Sequence, residues 1–190
     1  IVGIVGKSNA ERIILNGLER LEYRGYDSAG LYVADRTSDH LIKAQGRIKN
    51  LEEKVTSEVT GTIGIGNTRW ATHGKPSEMN AHPHTSANQA LVLVHNGVIE
   101  NFEELHQEYL SNHQFEGQTD TEIVVHLIEA LKEQDNSTTK AAFKKALSLI
   151  RGSYAFALVE KNDPETIYVA KNKSPLLIGL GDGFNVICSD

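Results

Sequence analysis

Tyr154-Ala155-Phe156-Ala157-Leu158-Val159 opens a carboxy-terminal run of short apolar segments, continued by Thr166 to Ala170, Leu176-Leu177-Ile178 and Asn185 to Cys188. Their β-branched and aromatic content and close spacing read as strands forming a meander. Ahead of them, from Phe102 to Ser148, apolar residues recur with helical periodicity and predict three helices, at about 102–112, 120–134 and 138–149. Ile1 to Val5 reads as a buried strand. A helix follows from about Ala10 to Leu21, capped by Ser8 or Asn9, with Ile13, Ile14, Leu18 and Leu21 on one face. Further strands are expected at Ala29 to Val33, Leu41 to Lys43, Thr62 to Thr68 and Ala90 to His95, with a short helix from Ile48 to Val55. The helices are grouped and do not alternate with single strands, so the expected class is layered α+β and not a doubly wound parallel sheet.

Composition narrows the function. A chain of 190 residues can bury one core without staples or metal. The net charge of -6, with both signs interspersed, argues against nucleic acid and anionic lipid as partners. The longest apolar runs fall well short of the roughly 20 residues that span a bilayer. No cationic leader precedes an apolar signal segment. The single cysteine, Cys188, forms no internal disulfide and is expected to be an inert thiol at an apolar strand end. A soluble, cytoplasmic protein is the expectation.

Three polar islands interrupt this apolar framework: Thr68-Arg69-Trp70-Ala71-Thr72-His73-Gly74, His95-Asn96-Gly97 and Gln118-Thr119-Asp120-Thr121-Glu122. Polar groups at element ends can converge on a ligand. A cation, an amide, a tight glycine and a carboxylate suit a small zwitterion such as an amino acid. Asn96-Gly97 lacks a matching strand after it, because Val98-Ile99-Glu100-Asn101 leads into helix. The Asn96 amide and the Gly97 N–H are therefore expected at a strand end, the donor pair an oxyanion hole requires. Arg24-Gly25-Tyr26-Asp27-Ser28 reads as a helix end stopped at Gly25 and a turn capped by Asp27, with Arg24 as a buried cation.

Other motifs have plainer readings. Gly3-Ile4-Val5-Gly6-Lys7-Ser8 ends like a phosphate loop, but Ile1 stands where the full pattern needs glycine. Gly61 to Gly66 runs into Asn67-Thr68-Arg69 and not into a helix, so its glycines belong to a close-packed strand. His82-Pro83-His84 does not match a common zinc spacing. Proline makes the dipeptide extended, which should point the two rings apart as hydrogen-bonded loop histidines.

Taken together, Leu21-Glu22-Tyr23-Arg24-Gly25-Tyr26-Asp27-Ser28-Ala29-Gly30, the Thr68 to Gly74 segment, Asn80-Ala81-His82-Pro83-His84 and His95-Asn96-Gly97 closely resemble the amino-terminal glutaminase domain of the glucosamine-6-phosphate synthase family. That family belongs to the class II glutamine amidotransferases, which have the N-terminal-nucleophile hydrolase fold, and the resemblance runs nearly end to end. It implies a four-layer α/β/β/α sandwich, L-glutamine as ligand and hydrolysis without metal or organic cofactor. It further implies carboxy-terminal sugar isomerase domains in the same polypeptide and a homo-oligomeric full-length protein. Asn96 and Gly97 would stabilise an oxyanion. Arg69 would pair with the substrate α-carboxylate and Asp120 with its α-ammonium. Trp70, Thr72 and His73 would shape a loop over the pocket, and Arg24 would lie beside the nucleophile.

The family's nucleophile is an amino-terminal cysteine, and this chain begins with Ile1. A gapless register sets Ile1-Val2-Gly3 on the family's Ile-Val-Gly, so Cys-Gly is expected ahead of Ile1. As written, the chain should bind glutamine poorly or moderately and not hydrolyse it. A noncatalytic glutamine-binding regulatory module is the alternative from another class, and an asparagine-forming class II enzyme is a third reading.

Overall fold

The computed structural model describes residues 1–190. The order of elements is β1 (Val2–Val5), α1 (Ala10–Leu21), β2 (Ser28–Ala34), β3 (Asp39–Gln45), α2 (Ile48–Glu52), β4 (Ile63–Arg69), β5 (His84–Thr85), β6 (Leu91–Ile99), α3 (Phe102–Tyr109), α4 (Asp120–Gln134), α5 (Thr139–Leu149), β7 (Gly152–Glu160), β8 (Tyr168–Asn172), β9 (Leu177–Leu180) and β10 (Asn185–Cys188). The strands form two antiparallel sheets, β3-β2-β4-β1-β10-β9 and β5-β6-β7-β8.

Side-chain alternation explains the layering. Along β6, Val92 and Val94 face the other sheet while Leu91 and Leu93 face the helices, and along β7 Ala155 and Ala157 oppose Phe156 and Leu158 in the same way. Both faces are therefore dry, and the strands read as unbroken apolar runs. Ile63 and Ile65 of β4 enter the core between the sheets. The intervening Gly64 and Gly66 face α1, where an added Cβ would stand 2.6 and 2.5 Å from Ile14. Those glycines let α1 lie close on the sheet, as expected for a packed strand. Helices α1 and α2 cover the larger sheet and α3 to α5 the smaller. The result is the four-layer α/β/β/α sandwich. No helix is long and apolar enough to cross a membrane.

Local sequence chemistry fixes the helix starts. Thr119 Oγ1 accepts the Glu122 N–H at 3.2 Å, and the Glu122 carboxylate reaches back to the N–H groups of Glu116 and Gly117, both at 2.8 Å. This is a capping box extended by one turn of loop. Thr138 caps α5 through its hydroxyl. Asn9 differs from expectation: it stands at the N-cap position of α1 in the left-handed region (φ 62°), and its side chain makes no capping bond.

Several elements depart from the pattern. The carboxy-terminal strands are not one meander: β7 and β8 stay in the smaller sheet, while β9 and β10 join the larger one beside β1. The pairing of β10 with β1 joins the two ends of the chain, a choice no local window contains. β6 does not stop at His95 but pairs with β7 through Ile99, so Asn96 and Gly97 lie within a strand. Helices α2 and α3 end earlier, at Glu52 and Tyr109. The His82–Pro83 peptide bond is cis, and the His82 and His84 rings lie 5.1 Å apart, not pointing away from each other.

The segment carrying His82 crosses β2 at Gly30, where an added Cβ would collide with the His82 carbonyl oxygen and stand 3.0 Å from that of Ile42. Both are backbone atoms that cannot swing aside. Gly30→Ala is expected to destabilise the protein by about 1–3 kcal/mol, the scale of overpacking a tight site. Urea unfolding measures this, and a loss under about 0.5 kcal/mol would show that the crossing segment yields.

Candidate active site

Antiparallel pairing places the beginning of β1 beside the end of β4, with Val2 opposite Gly66, and beside the end of β10, with Val2 opposite Cys188. At this meeting point the layers part into a cleft of about 340 Å³. Its walls include Ile1, Asn67, Thr68 and Arg69 from the larger sheet, Asn96 and Gly97 from β6, and Asp120 and Thr121 from the start of α4. The three polar islands thus meet in one place.

Arg69 is only 6% exposed. Its Nη2 donates to the His73 carbonyl oxygen, whereas its buried Nη1 has no hydrogen-bond partner. Burial lowers its pKa from the ordinary guanidinium value, and the carboxylates of Asp120 and Asp27 oppose that shift. A buried cation with an idle donor is costly unless a ligand completes it.

Asp120 is 4% exposed at the first position of α4, where the helix dipole favours a carboxylate. Its Oδ2 accepts the Ile99 N–H at 2.9 Å. The Nδ1 atoms of His73 and His95 stand 3.8 and 4.0 Å from the same oxygen. Burial lowers the His95 pKa, and its Nδ1 lies 3.0 Å from Thr121 Oγ1. A neutral His95 leaves the negative charge of Asp120 available to a ligand cation.

Asn96 Oδ1 accepts a hydrogen bond from Asn67 Nδ2 at 2.8 Å, so the amide nitrogen of Asn96 is the group without a protein partner. Gly97 has φ +134°, and a Cβ there would strike the Ser153 carbonyl oxygen of β7. Only glycine keeps its backbone at this place in the wall.

The remaining expected residues lie toward the rim. Arg24 is not a buried cation: its side chain is 39% exposed on a 3-10 turn, its Nη1 donating to the Ser189 carbonyl at 3.2 Å and lying 3.5 Å from Asp190 Oδ2. Trp70 is 60% exposed and meets the Tyr26 ring edge-on at 5.8 Å. Thr72 is exposed on the cleft lip, and His73 sits behind the wall with its ring 5.1 Å from Phe102. Asp27 ties down the start of this loop by accepting the Ala71 N–H at 2.8 Å. Cys188 is half-buried and donates to the Asp190 carbonyl at 2.7 Å.

Wall groups that escaped the sequence reading include Asn67, Ser174, Pro175 and Ser189. The signal for Asn67 was present. It shares strand parity with Ile63 and Ile65, so a polar side chain stands at a core-facing position. The Ile1 amine donates to Ser189 Oγ at 2.8 Å. Burial brings its pKa down to about 5, Arg24 adding to the shift and Cys188 opposing it.

Comparison with known proteins identifies the family and agrees with the fold. The glutamine amidotransferase domain family matches residues 68–189. Glutamine–fructose-6-phosphate aminotransferase (isomerizing) of Streptococcus pneumoniae serotype 4 is 64% identical over 190 residues, all of this chain and 31% of the relative. The enzyme of the same name from Lactococcus lactis is 63% identical over 191 residues, covering 100% of this chain and 32% of that protein. The chain therefore spans about a third of the length of these curated relatives. Among solved structures, glutamine phosphoribosylpyrophosphate amidotransferase from B. subtilis, complexed with ADP and GMP, superposes with a TM-score of 0.84 at 32% identity, over 99% of this chain and 41% of that one. The fold is that of the N-terminal-nucleophile hydrolases.

The buried amine makes a pH prediction. In the chain that begins at Ile1, the folded pKa of about 5 lies below the ordinary 8.0, so the unfolded state takes up the proton first as pH falls. Stability is full above pH 8 and declines toward pH 5, by at most about 4 kcal/mol at about 1.4 kcal/mol per pH unit. His82, His84, His95 and His126, with pKa values also lowered by burial, begin to add loss as pH approaches their ordinary 6.5. The difference in urea-unfolding stability between the parent and the chain acetylated at Ile1, profiled from pH 8.0 to 6.5, should isolate the amine's slope from the titration of Lys43 and the buried histidines. A flat profile over that interval would contradict the assignment.

Proposed function

The chain belongs to the glutamine amidotransferase domain family, and we propose that its reaction is hydrolysis of the side-chain amide of L-glutamine to glutamate and ammonia. The observation that carries this reading is the buried Arg69 with an idle Nη1, sharing one cleft with the Asp120 carboxylate and the Asn96–Gly97 donors. Arg69 takes the α-carboxylate and Asp120 the α-ammonium. The amino acid is thereby held at both charged ends, and its side chain extends to Asn96 Nδ2 and the Gly97 N–H.

The nucleophile is a cysteine two residues ahead of Ile1. Partner numbers in the β1–β4 pairing fall by one as the chain advances, from Val2 with Gly66 to Gly3 with Ile65. Running that register backward sets the two preceding residues beside Thr68 and Arg69, in the cleft. The cysteine's own α-amine takes the thiol proton as sulfur attacks the amide carbon. The carbonyl electrons move to oxygen, where Asn96 Nδ2 and Gly97 N–H stabilise the oxyanion, a term of roughly 3–4 kcal/mol per donor in another hydrolase. Collapse breaks the C–N bond, the amine passes its proton to the departing ammonia, and water then releases glutamate from the thioester.

The names of the longer relatives support a destination for the ammonia. In the complete protein, carboxy-terminal sugar isomerase domains use it to make glucosamine-6-phosphate from fructose-6-phosphate, in a cytoplasmic homo-oligomer. Arg24, Trp70 and Thr72 form the rim that shapes access to the cleft, and His73 supports Arg69 from behind the wall.

With Cys-Gly placed ahead of Ile1, the chain is expected to release glutamate from glutamine, while the chain beginning at Ile1 releases none. In the active form, Arg69→Met should raise KM at least tenfold, since it removes a charged hydrogen bond worth about 1.5–3 kcal/mol. Absence of turnover with a free amino-terminal cysteine would overturn the reading.

A further inference from the structure

An oxyanion hole built on a side-chain amide has a weakness that a backbone donor lacks: the amide can turn over. If Asn96 presented Oδ1 to the cleft in place of Nδ2, it would repel the charge that it should stabilise. Something must fix its polarity, and the surroundings of Asn96 contain one group able to do so.

We propose that Asn67 is a positioning residue for glutamine hydrolysis, holding the Asn96 amide with its NH2 group turned to the cleft; this rests on the glutaminase reading above. Asn67 is fully buried at the end of β4 and donates from Nδ2 to Asn96 Oδ1 at 2.8 Å. That bond occupies the Asn96 oxygen and leaves its nitrogen as the free, cleft-facing group. The pair alone does not settle the polarity, because turning both amides over would restore an equivalent N–H···O bond. The tie is broken by the His95 carbonyl oxygen, 3.5 Å from Asn67 Nδ2. This is a weak hydrogen bond, yet it attracts an NH2 group and would repel Oδ1 in its place. The His95 backbone thus sets Asn67, and Asn67 sets Asn96.

A second observation points the same way. Asn67 Oδ1 is buried without a partner, an arrangement that proteins rarely tolerate. An apolar side chain of similar size would avoid that loss and continue the pattern of Ile63 and Ile65. The polar residue stands at a core-facing position, and its one strong bond goes to the oxyanion donor. Sites that keep such a local conflict are commonly functional. Asn67 does not touch the reacting atoms, so its effect should appear in the chemical step and spare substrate capture by Arg69 and Asp120.

The test uses the chain carrying Cys-Gly ahead of Ile1 and compares steady-state glutaminase kinetics of Asn67→Leu and Asn67→Asp. Asn67→Leu frees the Asn96 amide to rotate and should lower kcat about tenfold, with KM for glutamine within about twofold of the parent. Asn67→Asp supplies only acceptors, which draw the Asn96 NH2 group away from the cleft. It should lower kcat about a hundredfold, the scale of deleting an oxyanion donor, again with little change in KM. Should either variant fail to fold, the other carries the comparison. Unchanged kcat in a folded variant, or losses confined to KM, would overturn the inference while leaving the glutaminase reading intact. An inactive parent would overturn both.

Discussion

A guanidinium buried with an idle nitrogen is the constraint around which this structure is arranged. Arg69 ends β4, inside the seam where the two sheets part, and the protein satisfies it only in part, through the His73 carbonyl and the fields of Asp120 and Asp27. A buried charge lacking full compensation costs several kcal/mol. The surrounding sandwich must supply that stability from its three apolar layers. The cleft is therefore a place where stability is given up, a conflict characteristic of functional sites.

Charge in the cleft is sorted as carefully as shape. Burial holds His82, His84 and His95 in their neutral forms, so they serve as hydrogen-bonding spacers and add no positive charge beside Arg69. His84 Nε2 lies 3.0 Å from Thr119 Oγ1, the hydroxyl that caps α4, and His95 pairs with Thr121 two residues further in. These contacts lock the start of the helix that presents Asp120. Inside the rim, where Arg24 stands, Arg69 and Asp120 remain as the charged poles with neutral donors between them, an arrangement suited to the amino-acid ligand proposed above.

Much of this was legible in the chain itself because it follows from local rules. The boundaries of α1 and α4 come from apolar periodicity and from Thr119 with Glu122, and the grouped helices announce a layered α+β fold. The polar islands at Arg69, Asn96 and Asp120 stand out because each interrupts or borders an apolar run, although Asn96 proves to lie within β6 and not at its end. What stayed hidden depends on distant pairing. The β1–β10 contact sends β9 and β10 into the other sheet, and β7 extends β6 through Asn96 and Gly97. Nothing within a few residues of those strands encodes their partners. Arg24 was misplaced for a similar reason, since its exposure depends on where Ser189 and Asp190 end β10. Asn67 was readable by parity alone, a signal not used where Asn67-Thr68-Arg69 served only to argue that no helix follows Gly61 to Gly66.

The central claim is that Arg69 and Asp120 grip opposite charges of one amino acid, and a double cycle of ligand and protein tests it most directly. Calorimetric titration of the chain beginning at Ile1 would compare glutamine with 4-carbamoylbutanoate, the same molecule without its α-amine, against the parent and Asp120→Asn. The account predicts that the parent prefers glutamine by about tenfold or more and that Asp120→Asn abolishes the preference, the two losses being coupled and not additive. Full retention of that preference by Asp120→Asn would contradict it.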